Sequence, residues 1–426
     1  MNLRITVVLL CAAIATTDAA RGAQPYLVTA TLTGEIWRIE DVNNDGDALD
    51  IGERSLWASD FQFLTGIESS AGAVYAIDAG IAFGNNQVVR LNDTNGDGDA
   101  LDIGERVTWA TGLHFPGNIL QDGGKGFYIS EAINDTILRL ADKNADGDAL
   151  DDGEQLLFAE AIDGPSAMLH WFGGLLAAAS ESDQIVRLTD TNGDGDALDT
   201  LENLPVLSNV GLPVGLLEDG SGGFYVTSYD RDTIYRATDI NGDGDYFDIG
   251  ELRSFADAVY GNLVNPANMA SYPGSGFLVA DNGSNKVLLM RDNNGDGDAL
   301  DLGEVTTFLD DIGGPLDILP LLAGVPGDYN GDGFVNAADY TVYRNRKSGI
   351  GGTTLINEAV TPGEVTIEDF NYWKANYGNP LGTGAGKSLS TASVPESASI
   401  ALVCAAVLAI VATARPTRRA NGRTAS

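Results

Sequence analysis

The chain has 426 residues but only two cysteines and two histidines, and 24 basic residues against 61 acidic ones. Each shortage excludes something. Cys11 and Cys404 lie in apolar terminal stretches, so no disulfide can staple the body between them. His114 and His170 are too few for a zinc-type Cys/His cluster. There is no Gly-x-x-x-x-Gly-Lys-Ser/Thr phosphate loop and no Gly-x-Ser-x-Gly hydrolase elbow. A formal net charge of −37 speaks against nucleic acid and anionic surfaces as partners, and for cations. Hydrophobic residues nevertheless make up 44% of the chain, enough to build a core, so this is not a disordered polyanion.

What is abundant is a repeat. The stretch DTNGDGDALDIGE begins at Asp93, and five related stretches begin at Asp41, Asp142, Asp190, Asp239 and Asp292. The steps between starts are 52, 49, 48, 49 and 53 residues. A period near 50 points to a propeller or a solenoid. Between the acidic stretches come a proline-led run (LPVGLLEDG), an apolar-aromatic run (GFYVTS), a run such as DTIYRA and, after the acidic loop, a last run such as ERVTWA. These are four strand-length segments separated by turn residues. Six such units predict an all-β fold, a six-bladed β-propeller over residues 24–323, with a β-helix as runner-up. The first unit lacks its proline-led strand, and GGPLDILPLL after the last unit supplies one. The carboxyl end of the repeat region is therefore expected to complete the first blade and remove the open edge.

In each acidic loop oxygen-bearing side chains occupy positions 1, 3, 5, 7, 10 and 13. In the first two copies these are Asp41, Asn43, Asp45, Asp47, Asp50 and Glu53, then Asp93, Asn95, Asp97, Asp99, Asp102 and Glu105. The middle copies have Asp142, Asn144, Asp146, Asp148, Asp151 and Glu154, then Asp190, Asn192, Asp194, Asp196, Asp199 and Glu202. The last two have Asp239, Asn241, Asp243, Asp245, Asp248 and Glu251, then Asp292, Asn294, Asp296, Asp298, Asp301 and Glu304. Oxygens at 1, 3 and 5 with a turn glycine at 6 form the front half of a calcium loop, in which the carbonyl at 7 also faces the ion. The acids at 10 and 13 depart from an EF-hand, and the flanks are strands. Either of those two acids can close the shell. Five acids in each of six loops account for 30 of the 61. Two such charges about 6 Å apart repel by roughly 1–3 kcal/mol, so a cation is expected to relieve the crowding. Arg38, Arg90, Arg139, Arg187 and Arg236 each stand three residues before a loop, and are expected to pair with a carboxylate of their own or a neighbouring loop.

The proline-led strand with GFYVTS and DTIYRA resembles NHL and gluconolactonase-like six-bladed propellers, over roughly Pro25 to Leu322. Enzymes of the gluconolactonase type hold a divalent metal at the tunnel mouth with acid and asparagine side chains. That resemblance singles out Asp78, Asn118, Glu131, Asn268 and Asp281, with His114 on a nearby loop, as tunnel-mouth candidates. The alternative is that these are scattered turn residues on an acidic protein.

Residues 326–380 carry a different unit, GDYNGDGFVNAADYTVYRNRKSG, with Asp328, Asn330, Asp332, Asn336 and Asp339 at positions 1, 3, 5, 9 and 12 of a loop leading into a helix. It resembles the first half of a type I dockerin, an EF-hand-like α-helical module whose family binds calcium and cohesins. The second half, near VTIEDFNYW, keeps Asp369 but has Val360 and Pro362 where oxygens are needed, so one ion is expected there and about seven in all.

At the ends, Arg4 and the apolar run Ile5–Ala15 followed by small residues read as a secretory signal peptide over residues 1–23, with cleavage expected somewhere from Ala19 to Ala23. A Gly/Ser linker spans 381–393. Val394, Pro395 and Glu396, a hydrophobic helix over Ile400–Ala414, and Arg415, Arg418 and Arg419 resemble the PEP-CTERM sorting signal over 394–420. In that family an exosortase-type membrane enzyme handles the signal, which implies export to the cell surface or extracellular space. The first functional reading is an exported calcium-binding scaffold with a cohesin-like or cell-surface partner. The second is a metal-dependent lactonase-type hydrolase, and the third a dockerin-bearing component of an extracellular assembly.

Overall fold

Short β-branched and aromatic runs cut by Gly and Asp turns build 24 strands and two helices among the described residues. The computed structural model describes residues 24–70, 72–80, 86–124, 126–273, 276–321, 329, 337–347, 355 and 365–376. The expected signal peptide, linker and sorting segment lie outside the described residues, as do Asp328, Asn330, Asp332 and Asn336.

Blade 1 begins with β1 (Tyr26–Ala30), β2 (Glu35–Ile39) and β3 (Arg54–Ala58). Blade 2 is β4 (Leu64–Ser70), β5 (Ala73–Asp78), β6 (Gln87–Leu91) and β7 (Arg106–Thr111). Blade 3 is β8 (Pro116–Gln121), β9 (Phe127–Glu131), β10 (Thr136–Leu140) and β11 (Gln155–Glu160). Blade 4 is β12 (Pro165–Trp171), β13 (Gly174–Ala179), β14 (Gln184–Leu188) and β15 (Asn203–Ser208). Blade 5 is β16 (Pro213–Glu218), β17 (Phe224–Ser228), β18 (Thr233–Ala237) and β19 (Leu252–Ala256). Blade 6 is β20 (Pro266–Ser271), β21 (Phe277–Asp281), β22 (Lys286–Met290) and β23 (Val305–Leu309). The last strand, β24 (Pro315–Pro320), pairs antiparallel with β1, Leu27 opposite Leu319, and makes the sheet β24-β1-β2-β3. The ring therefore closes as the extra proline-led strand predicted. The first strand of each blade touches the first strand of the next all the way round.

Because strands alternate in direction, the acidic loops (third to fourth strand) and the first-to-second-strand hairpins share one face of the ring. The second-to-third-strand turns and the connections between blades share the other. Six apolar clusters fill the six seams between neighbouring blades. Every member lies between Tyr26 and Leu321, so the ring supplies its whole core and forms a self-contained unit.

Each outer strand carries a β-bulge at the same place. Trp57, Trp109, Phe158, Val206, Phe255 and Phe308 are the residues skipped by the pairing register. A bulge re-aims a residue out of the ladder. Here it turns a buried side chain into the seam and leaves the backbone carbonyl for another partner.

Helices α1 (Ala337–Lys347) and α2 (Ile367–Asn376) pack around Tyr329, Tyr343 and Leu355, with Val342, Val365, Phe370 and Trp373 against them. Asp339 and Asp369 sit at matching places near the helix starts and are fully buried. Asp369 accepts hydrogen bonds from the Thr366 N–H (2.6 Å) and hydroxyl (3.0 Å), which holds the entry to α2.

Candidate metal centre

The six acidic loops share one hydrogen-bond pattern. The position-1 aspartate accepts from the N–H of Gly at position 6 at 2.9–3.0 Å, closing the turn. The asparagine amide at position 3 donates both to the position-5 aspartate (2.9–3.0 Å) and to the position-10 aspartate (2.5–2.7 Å). Two carboxylates and one amide thus converge from each loop. Position 6 has φ near +100° throughout, as at Gly98 (+101°), which favours glycine.

The other two acids serve the backbone. The aspartate at 7 accepts from the N–H at position 9 at 2.9–3.0 Å. The glutamate at 13 is buried in every loop and accepts from the N–H groups at positions 2 and 10. For Glu105 and Glu202 these donors, the Thr94 and Thr191 N–H groups foremost, hold the carboxyl below its ordinary range. Of the two acids left open as shell-closers, the one at 10 faces the converging group and the one at 13 organises the loop. The charges at 5, 7, 10 and 13 also interact. Asp146 in the first place, then burial and Glu154, push the Asp151 carboxyl up. Burial, with Asp45, Glu53 and Asp50, does the same to Asp47.

The carboxylates at 5 and 10 are hard oxygen donors that suit a hard cation, whereas the asparagine turns its NH2 group toward them while its oxygen accepts the position-5 N–H, so the amide would have to turn over to become a ligand. Among the described residues no group of three or more His, Cys, Asp and Glu side chains is gathered tightly enough to hold a metal ion. In each loop it is the asparagine that stands as the third converging group.

The loops also do something that was not expected from the sequence. The N–H at position 8 donates to the bulged carbonyl of the preceding blade in all six cases. The pairs are Ala48 to Phe308, Ala100 to Trp57, Ala149 to Trp109, Ala197 to Phe158, Tyr246 to Val206 and Ala299 to Phe255, at 2.7–2.8 Å. Both residues of each pair are buried in the same seam cluster. Every acidic loop is therefore a clasp between two blades. The small residue at position 8 in five loops and the aromatic in most last strands were visible signals, but only pairing across repeats gives them meaning.

The arginines before the loops depart from expectation. Arg90 and Arg187 reach the next blade's loop at the position-6 carbonyl, Gly147 at 3.0 Å and Gly244 at 3.3 Å, and not at a carboxylate. Arg139 and Arg236 pair with Asp122 (2.8 Å) and Asp219 (2.7 Å) in their own blade's first hairpin, and Arg38 with Glu40 (2.5 Å). A carbonyl is the acceptor in reach because the loop carboxylates face their own backbone and Asn amide. In blade 6 Tyr272 takes the part, donating to Asp41 at 3.2 Å, and burial beside Asp41 pushes its phenol up to about 12.

The tunnel-mouth candidates lie on the opposite face or in the inner strands. Three of them are engaged separately. Asp78 accepts from the N–H groups of Gln62 and Phe63 (both 3.0 Å) and pairs with Arg106 at 3.3 Å. Glu131 accepts from the His114 N–H at 2.7 Å and from Asn134 and Thr136. Asp281 accepts from the Val264 N–H at 2.8 Å and contacts the Ser284 hydroxyl. Each ties the incoming connection to its own blade. Burial pushes the Asp281 carboxyl up to about 7. Asn118 and Asn268 are fully buried in β8 and β20, and neither atom of the Asn118 amide has a protein hydrogen bond.

Together these features define a six-bladed propeller whose seams are closed by six acidic clasps. Solved structures similar to the chain include the nidogen/laminin complex, at 17% identity over 63% of this chain and 89% of that one, TM-score 0.44. A streptogramin B lyase matches at 17% over 68% and 84%, TM-score 0.42. The virginiamycin B lyase from Staphylococcus aureus matches at 17% over 68% and 85%, TM-score 0.42. Likeness at this level says nothing of ligand or chemistry. No protein-family model and no curated protein matches the chain.

Proposed function

We propose that the protein is an exported, calcium-clamped propeller that works as a binding scaffold outside the cell. The observation that carries this reading is the sixfold clasp: converging acidic side chains sit on the same loop whose position-8 N–H bonds the neighbouring blade. Calcium would be held by the side chains at positions 1, 3, 5 and 10 with the carbonyl at 7, and would neutralise charges that otherwise repel. Ordering the loop then orders the seam. With free calcium at about 100 times the dissociation constant, each site would add about 2.7 kcal/mol. Six such terms exceed the net stability of an ordinary domain, which is about 5–15 kcal/mol.

Export is supported by the signal-like start, and surface sorting by the Val-Pro-Glu, apolar and arginine-rich order of the end. The paired helices with Asp339 and Asp369 support a dockerin-like module that takes one further ion and a cohesin-like or cell-surface partner. The scaffold is preferred to a hydrolase because Asp78, Glu131 and Asp281 are each spent on their own connection. Calorimetric calcium titration tests the proposal. Six sites are expected on residues 24–321 and about seven on 24–380, by counting loops; two or fewer would refute it.

A further inference from the structure

The loops vary at several positions, and at position 11 the variation follows the ring. Ile51, Ile103, Ile249 and Leu302 stand there in loops 1, 2, 5 and 6, and each is fully exposed, with relative accessibility of 105–106%. Loops 3 and 4 have Asp152 and Thr200 instead. Blades 5, 6, 1 and 2 are consecutive round the ring, so the aliphatic tips form one arc on the loop face. The repeat places all four at equivalent points of their loops. Single exposed apolar residues are ordinary on any surface. Four at one repeat position, beside the most acidic segments of the chain, are not scattered.

The tips stand one per blade. A protein partner would need four separate pockets at the ring's own spacing. A lipid bilayer accepts each tip wherever it lands, because its acyl layer needs no matching pocket. The path of the chain points the same way. β24 ends on the loop face and β1 starts there, so the chain both enters and leaves the ring on that side. Beyond Leu321 come residues 322–426, which include the apolar run Ile400–Ala414 and Arg415, Arg418 and Arg419.

We propose that the loop face docks on a lipid bilayer, the four aliphatic tips entering the acyl boundary while loop-bound calcium bridges to lipid phosphates. This rests on the calcium reading above. The net charge of −37 repels an anionic surface when the loops are bare; one calcium per loop lowers that repulsion without reversing it, so the switch is the local bridge from the ion to a lipid phosphate.

The test is sedimentation of residues 24–321, the self-contained ring, with vesicles of phosphatidylcholine and phosphatidylglycerol, in calcium and in chelator. The bound fraction is expected to rise about tenfold or more with calcium. The combined Ile51→Ser, Ile103→Ser, Ile249→Ser and Leu302→Ser variant is expected to lose that gain, while keeping its melting temperature and its calcium stoichiometry. Unchanged vesicle binding by the variant overturns the proposal. So does calcium-driven self-association without lipid that the same substitutions abolish, which would assign the tips to a second copy. A ring that takes up calcium but ignores vesicles overturns this proposal alone. A ring that takes up no calcium overturns the calcium reading as well.

Discussion

The two faces of the ring use the same side chains in opposite ways. On the connection face, Asp78, Glu131 and Asp281 are buried, and each accepts N–H groups from the segment it holds. On the loop face, the asparagine amide donates to the aspartates at positions 5 and 10; the one at 5 also accepts a long bond from the position-7 N–H (3.3–3.4 Å), and the one at 10 lies beside further acids. A carboxylate with short backbone donors is held as a clamp, whereas one crowded by other carboxylates has its charged form disfavoured. The distinction runs inside each loop too, since the position-13 glutamate behaves like the acids of the connection face.

The largest single-site effect is expected where the clasp meets the seam. Trp109 packs edge-on against Tyr75 and Phe127, both at 5.3 Å, and its carbonyl accepts from Ala149. Trp109→Ala should cost about 3–5 kcal/mol, read by denaturant unfolding. An exposed substitution on the same loop, such as Leu150→Ser, should leave stability nearly unchanged.

Second comes pH, which separates the faces. The folded chain keeps a proton on Asp281 up to about 7, whereas the unfolded chain releases it near the ordinary value of 3.8. The folded state therefore binds more protons in that window, and stability should fall by a few kcal/mol as pH rises from about 4 to about 7. Asp281→Asn should flatten that fall. Curves that superimpose would show that Asp281 is not the group responsible. In the metal-free ring the crowded Asp151 adds to the same direction, and calcium should remove its share.

Third, clamp and ligand can be separated within one loop. Glu154→Gln weakens the acceptor for the Lys143 and Asp151 N–H groups, now 2.8 and 3.1 Å away. It should cost about 1–3 kcal/mol with or without calcium. Asp151→Asn should raise the melting temperature of the metal-free ring, by removing a charge next to Asp146, and lower calcium affinity at that loop. If both variants behave alike, positions 10 and 13 do not divide the work.

The smallest effect concerns loop 4. Leu201 holds φ +76° at position 12, where Gly104 in loop 2 has φ +96°. It is 69% exposed, so little packing opposes its removal. Leu201→Gly should stabilise the ring by up to about 1 kcal/mol, seen as a small rise in melting temperature.

Much of this was legible in the sequence because the repeat enforces it. The period near 50, the four runs per unit and the displaced proline-led strand GGPLDILPLL led directly to six blades and to β24 beside β1. The asparagine and aspartates at 3, 5 and 10 were marked by spacing, and they do come together. What was not legible depends on contacts between repeats. The bulge at Trp109 and its bond from Ala149 join residues 40 positions apart in two different blades. Four of the arginines reached hairpin acids or loop carbonyls and Arg38 reached Glu40, since a long side chain takes the best acceptor in space. The backbone partners of Asp78 and Asp281 were not legible either, because they lie on the incoming connections, 16 and 17 residues earlier in the chain.

The most direct test of ion-clamped seams is the thermal melting of residues 24–321 in calcium and after exhaustive chelation. A loss of about 10 °C or more on chelation, restored by added calcium, is the predicted result. An unchanged melting temperature, with no bound metal by elemental analysis, would leave the ring standing but contradict calcium as its clasp.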